Sequence, residues 1–275
     1  MIRPLPEPLA SAVRRLEEGF SGVLALWVHD LRHRESYGLR SEEPFHPASV
    51  IKLFVLREFF RQVEAGAVDP AAEVVMRKRD LVPGSGVLKD LGPGLHLRLR
   101  DAATLMITVS DNVAANLVID RLGTAAINRS TREAGYLHTV LAGKLYHDHR
   151  RHSRVTARDA GRLMLDVARR RAVSRAASAS MLDVLRRSQS RDIVGRFLPR
   201  ASSSAPGGRL RIASKSGSLE GMRHDVAYVE GSGARYVIAL MSRDCADRRI
   251  WPDNEATLCL ARLARSVHDH ASRQV

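Results

Sequence analysis

Pro47-Ala48-Ser49-Val50-Ile51-Lys52-Leu53-Phe54 is the stretch on which the reading of this 275-residue chain turns. A proline just ahead of apolar residues at Ile51, Leu53, Phe54 and Phe59, with Gly66 as a stop, predicts a helix from Ser49 to Ala65. Ser49 and Lys52 stand three residues apart in its first turn, so a hydroxyl and an amine share one face. At a helix start the Ser49 backbone N–H has no intrahelical acceptor and is available to an oxyanion. A serine precedes a lysine by three residues roughly one time in ten or less by chance, so this pair alone reads as a solvated helix start.

Two further groups remove that reading. Ser110-Asp111-Asn112 falls between two predicted helices, and Lys215-Ser216-Gly217-Ser218 follows a predicted strand. Their plain alternatives are a helix-capping turn and a strand-edge lysine. Lysine occurs only at positions 52, 78, 89, 144 and 215, and two of these five sit in the motifs, which is hard to assign to chance.

Outward from the motifs, Leu9 to Gly19 has the spacing of an amphipathic helix, Gly22 to His29 reads as a buried strand, and Arg34 to Tyr37 as its hairpin partner. Helices are expected near 99–109, 112–122, 124–134, 156–170, 175–187 and 190–197. Thr156 followed by Asp159 resembles a capping box, and Ser190 opens the last of these runs. Ser202 to Gly208 is the clearest loop. Beyond it Arg209–Ser214, His224–Glu230 and Arg235–Ser242 read as strands, the last two joined at Gly231-Ser-Gly233, and a helix follows Pro252. The chain ends thus supply a sheet layer, and the middle supplies helices only. This predicts an α/β lobe from residues 1–68 and 205–275, an all-helical lobe from 69–204, and a site in the cleft between them.

Composition narrows the function. The net charge of +14 invites a polyanion, but 39 of the 44 basic residues are scattered arginines and aromatics are 5% of the chain, so nucleic acid is not the expected partner. No run of about 18 apolar residues predicts a membrane span. The first residues lack the apolar core of an export signal, so either the chain stays in the cytoplasm, the favoured expectation, or a leader has been removed. Cys245 and Cys259 are too few for a metal cluster; reduced thiols are expected in the cytoplasm, or one disulfide if exported.

The ordered set Ser49-x-x-Lys52, Ser110-Asp-Asn112 and Lys215-Ser-Gly217 resembles that of the class A β-lactamase-related serine hydrolases, within the penicillin-recognising serine acyltransferase superfamily. The likeness runs from the first strand through Arg158-Asp-Ala to the final helix. It implies an α/β (α+β sandwich) fold of the β-lactamase/transpeptidase type, an antiparallel sheet lobe with flanking helices plus an all-helical lobe. In the expected catalytic set Ser49 attacks a carbonyl, neutral Lys52 takes its proton, Ser110 relays it to the leaving nitrogen, and Lys215 is a second cation. Asn112, Ser216, Gly217, Ser218 and Arg223 form the expected substrate-binding set. Asn112 orients the lysine and the substrate amide, Ser218 supplies a second oxyanion N–H, and Lys215 with Ser216 binds a carboxylate. Arg223 either reinforces that grip or is an ordinary surface arginine. No cofactor or metal is required, and the partner is a small molecule: a β-lactam, an ester or a D-aminoacyl peptide.

In the middle loop the chain departs from the pattern of the family it resembles. Efficient class A enzymes carry a glutamate and an asparagine in a middle loop, and Lys144 to Arg154 has neither. Glu133 belongs to the preceding helix. Asp148, with His147, His149 and His152, reads as a polar loop, a substitute deacylation base or a metal site. Leu81 to Val87 borders the cleft or is only a Pro/Gly turn. Three activities follow: slow hydrolysis of β-lactams or related amides and esters, a D-aminoacyl peptidase or esterase, or a penicillin-binding sensing module that stays acylated.

Overall fold

The structure, a computed structural model, describes residues 2–146, 153–199, 209–231 and 233–273. In chain order the elements are α1 (Leu9–Glu18), β1 (Val23–Asp30), β2 (Glu35–Leu39), α2 (Lys52–Glu64), β3 (Glu73–Val75), β4 (His96–Arg98), α3 (Leu99–Thr108), α4 (Asn112–Leu122) and α5 (Thr124–Glu133). They continue with α6 (Ala157–Ala168), α7 (Arg175–Arg186), β5 (Arg211–Leu219), β6 (Met222–Gly231), β7 (Ala234–Arg243) and α8 (Glu255–Arg273). A 3₁₀ turn, Ala48–Ile51, leads into α2.

The main sheet has the order β2-β1-β7-β6-β5, every pair antiparallel. Its central strands read as unbroken apolar runs because helices cover both faces. On β7, Tyr236, Ile238 and Leu240 join a core with Val13 of α1 and Leu260 and Leu263 of α8. Val237, Ala239 and Met241 alternate onto the other face, with Trp27, Leu163 of α6 and Phe54 of α2. Trp27 sets the depth of α6, because a Cβ on Gly161 would come 2.1 Å from the Trp27 ring.

The fold is the expected antiparallel sheet with flanking helices, and three local expectations change. The 69–204 segment contains a two-stranded sheet, β3 with β4, whose three-residue strands are too short to show a period. Residues 190–197 form turns, not a helix. There Arg191 turns back to donate to the Arg186 and Ile212 carbonyls, and the Val194 N–H goes to Asp225, 3.1 Å away, leaving no i to i−4 ladder. Thr156 does cap α6 by accepting the Asp159 N–H at 3.1 Å, but Asp159 spends its carboxylate on His138 and Thr139, so the box is half made. Cys245 and Cys259 are buried and unbridged. The Ser202–Gly208 loop lies outside the described residues.

Candidate active site

Three elements converge on one cavity. The 3₁₀ turn brings Ser49 and the residue three further on to the same side, where such side chains eclipse, and α2 begins at Lys52. The α3–α4 corner supplies the second group. Ser110 takes a left-handed conformation, φ 55°, and Asp111 caps α4 by accepting the Ala114 N–H at 2.9 Å. The other Asp111 oxygen accepts the Val87 and Leu88 N–H groups at 2.7 and 2.9 Å. The third element is β5, an edge strand. Lys215 sits within it, not at its end as the sequence suggested, because pairing with β6 continues to Leu219.

The polar atoms meet around Ser110. Lys52 Nζ lies 2.6 Å from the Ser110 carbonyl, 2.7 Å from Asn112 Oδ1 and 3.2 Å from Ser110 Oγ. Lys215 Nζ donates to the same hydroxyl at 3.0 Å and to the Ser216 carbonyl at 2.7 Å. Both lysines are fully buried, at 0% and 1% exposure. Burial, and then the charge of Lys215, holds the Lys52 amine far below the ordinary lysine range. Burial lowers Lys215 to about 8, with Asp225 opposing the shift.

The cavity, about 320 Å³, is walled by Ser49, Ser85, Ile107 to Ser110, Ser188 to Ser190 and Lys215 to Ser218. Ser49, Ser110, Lys215, Ser216, Gly217 and Ser218 therefore line one space, with Lys52 and Asn112 directly behind Ser110. Gly217 is fixed by contact: a Cβ there would lie 2.9 Å from the Ser49 nitrogen and 3.2 Å from the Pro47 carbonyl.

Arg223 is not brought to this space. Its guanidinium is buried and donates to the Leu219, Met222 and Arg249 carbonyls, so it ties the β5–β6 turn to the loop before α8. Sequence reasoning missed Ser85 and Ser188 to Ser190 as wall residues, and Asp111 as the anchor of the 81–87 loop. The loop borders the cavity through Ser85, and its Gly-Ser-Gly pattern was the available signal: Gly84 and Gly86 have φ 90° and 109° and pack on Asn112 and Asp111. His147, Asp148, His149 and His152 lie outside the described residues. Among the described residues no cluster of three or more His, Cys, Asp or Glu is placed to hold a metal, and no helix is long and apolar enough to cross a membrane.

The model of the β-lactamase enzyme family matches residues 8–271. The chain belongs to that family. β-Lactamase PSE-4 of Pseudomonas aeruginosa is 30% identical over 111 residues, 40% of this chain and 38% of that protein. β-Lactamase SME-1 of Serratia marcescens is 29% identical over 128 residues, 46% of this chain and 43% of that protein. The chain thus matches about two fifths of the length of these β-lactamases. Solved structures align further. A β-lactamase from Sphaerobacter thermophilus DSM 20745 superposes with a TM-score of 0.87 at 26% identity, covering 96% of this chain and 97% of its own. PBP-A gives 0.87 at 26% identity, covering 99% and 98%. A point mutant of PBP-A, solved as an acyl-enzyme complex with penicillin G, gives 0.86 at 26%, covering 98% of each chain.

Proposed function

We propose that this family member is a serine hydrolase that opens β-lactam or related amide and ester bonds through an acyl-enzyme on Ser49. The observation that carries the proposal is the Ser110 hydroxyl bridging the buried Lys52 and Lys215 amines, 3.2 and 3.0 Å away, at the wall Ser49 shares. A neutral amine has two N–H donors and one lone pair. Lys52 Nζ donates to the Ser110 carbonyl and to Asn112 Oδ1 at 2.6 and 2.7 Å, which leaves its third position, on the side of the Ser110 hydroxyl, for the proton it exchanges. Burial, and then the Lys215 cation, lowers the Lys52 amine well below the ordinary lysine range, which favours its neutral form.

In the acylation step Lys52 accepts the Ser49 proton as Oγ bonds to the substrate carbonyl carbon. The oxyanion is held by the Ser49 and Ser218 N–H groups, donors worth roughly 10²- to 10³-fold in rate each. As the C–N bond breaks, Ser110 passes a proton to the leaving nitrogen and regains one from Lys52. Lys215 and Ser216 bind the substrate carboxylate. Water must then attack the ester on Ser49, and no carboxylate stands among the described cavity residues to activate it. The middle loop, residues 144–154, has no glutamate in its sequence, and loss of a general base typically costs about 10² to 10⁴ in rate, which supports slow deacylation.

That same lining, with PBP-A and a β-lactamase equally similar in structure, favours a second reading: a peptidase, esterase or sensing protein whose β-lactam adduct persists. The lifetime of the adduct decides. With a chromogenic cephalosporin, a burst of one equivalent followed by slow steady colour release supports the hydrolase. A burst with no further release supports the second reading, and release without a burst contradicts slow deacylation.

A further inference from the structure

We infer that His224 is a positioning residue for the nucleophile turn, holding the His46 carbonyl so that the Ser49 amide and hydroxyl stay seated against β5. This role presupposes Ser49 as the nucleophile. His224 stands on β6 directly opposite Gly217 and is fully buried. Its Nε2 is 2.8 Å from the His46 carbonyl, three residues before Ser49. The ring has only one possible tautomer there. The Ser242 N–H donates to Nδ1 at 3.3 Å, so the hydrogen is on Nε2 and is donated to His46. Phe45 meets the ring edge-on, 6.2 Å between centroids, and fixes its plane.

The turn needs such a hold. Ala48 adopts φ 44°, a left-handed conformation that is strained for a residue with a Cβ and persists only where the surroundings enforce it. Phe45 is tied on one side by reciprocal bonds with Val155 at 2.8 and 3.0 Å. On the other side the Ser49 nitrogen rests against Gly217 without a side chain between. The His224 bond spans that interval, linking the central strand β7 through Ser242 to the turn. The Ser218 amide, the other oxyanion donor, is the next residue along β5 from Gly217, so both donors are referenced to the pair Gly217 and His224.

His224→Leu keeps the bulk and removes the donor, whereas His224→Gln keeps a donor at similar reach. Rapid-mixing acylation by a chromogenic cephalosporin separates noncovalent binding from the acylation rate constant. The leucine variant is expected to lose about tenfold to a hundredfold in that rate constant, with binding changed less than about threefold. The glutamine variant is expected within about fivefold of wild type. Wild-type acylation by a folded leucine variant, or an equal loss in both variants, overturns the role. If the leucine chain does not fold, His224→Asn, whose shorter amide falls short of His46, takes its place with the same expectation. A wild-type chain that takes no label on Ser49 overturns the nucleophile assignment and this role with it; a labelled wild type with unaffected variants overturns this role alone.

Discussion

Lys215 carries a pH dependence that belongs to a single side chain. Burial lowers it to about 8, so its charge is present at neutral pH and disappears as pH rises through that value. If it binds the substrate carboxylate, KM should rise above pH 8 while kcat changes less, and Lys215→Arg should remove the rise because guanidinium keeps its charge. A KM that stays flat from about pH 7 to 9.5 in the wild type would contradict the assignment. Residue identity was legible where it formed a pattern: two of five lysines stood in motifs, and both are buried at Ser110. Arg223 was not legible, since nothing in a sequence of 39 arginines says which carbonyls a guanidinium will reach. Ser85 was legible only as a turn residue, because its place in the wall depends on Asp111 gathering the Val87 and Leu88 amides.

At the scale of elements, α6 and the α3–α4 corner make opposite kinds of prediction. Gly161 lies inside α6, where alanine would ordinarily gain about 1 kcal/mol in helix propensity. Its Cβ would meet the buried Trp27 ring at 2.1 Å, so Gly161→Ala should instead destabilise by about 1 to 3 kcal/mol in urea unfolding. Asp111→Ala removes the α4 cap and strands the Val87 and Leu88 amides, and a loss of about 3 kcal/mol is expected in the same measurement. Long periodic elements such as α2, β1 and β7 could be read directly, to within a few residues of their ends. The 190–197 segment could not, since its apolar residues Ile193 and Val194 are buried as a helix would bury them while the Val194 amide bonds across the chain to Asp225. The extension of β5 past Ser214 was hidden for a related reason: Ser-Gly-Ser has low strand propensity, and pairing with β6 supplies the order.

For the molecule as a whole, the buried titratable groups set an acid limit. Burial holds His29 and His224 at about 4 in the fold, so the stability they contribute is intact above about pH 6.5 and is lost as pH falls towards 4. Asp225 acts in the other direction: burial raises it to about 6, and its contribution is lost as pH rises from about 4 to 6. Two imidazoles outweigh one carboxyl, so Tm should fall on acidification from pH 6.5 to 4, and His224→Gln should make that fall smaller. A Tm that rises over this range would contradict the balance. The sheet with helices on both faces was readable from the chain ends, because strands flanked by amphipathic helices admit few other packings; the seating of the 3₁₀ turn on Gly217 was not, because it depends on contacts between residues more than a hundred positions apart. The central claim is that these elements assemble a covalent site at Ser49, and intact-protein mass spectrometry after mixing with a penicillin tests it most directly. One equivalent of added mass, mapped to the peptide holding Ser49 and absent from Ser49→Ala, is the predicted result. Equal labelling of both proteins, or a label mapped elsewhere, would contradict it.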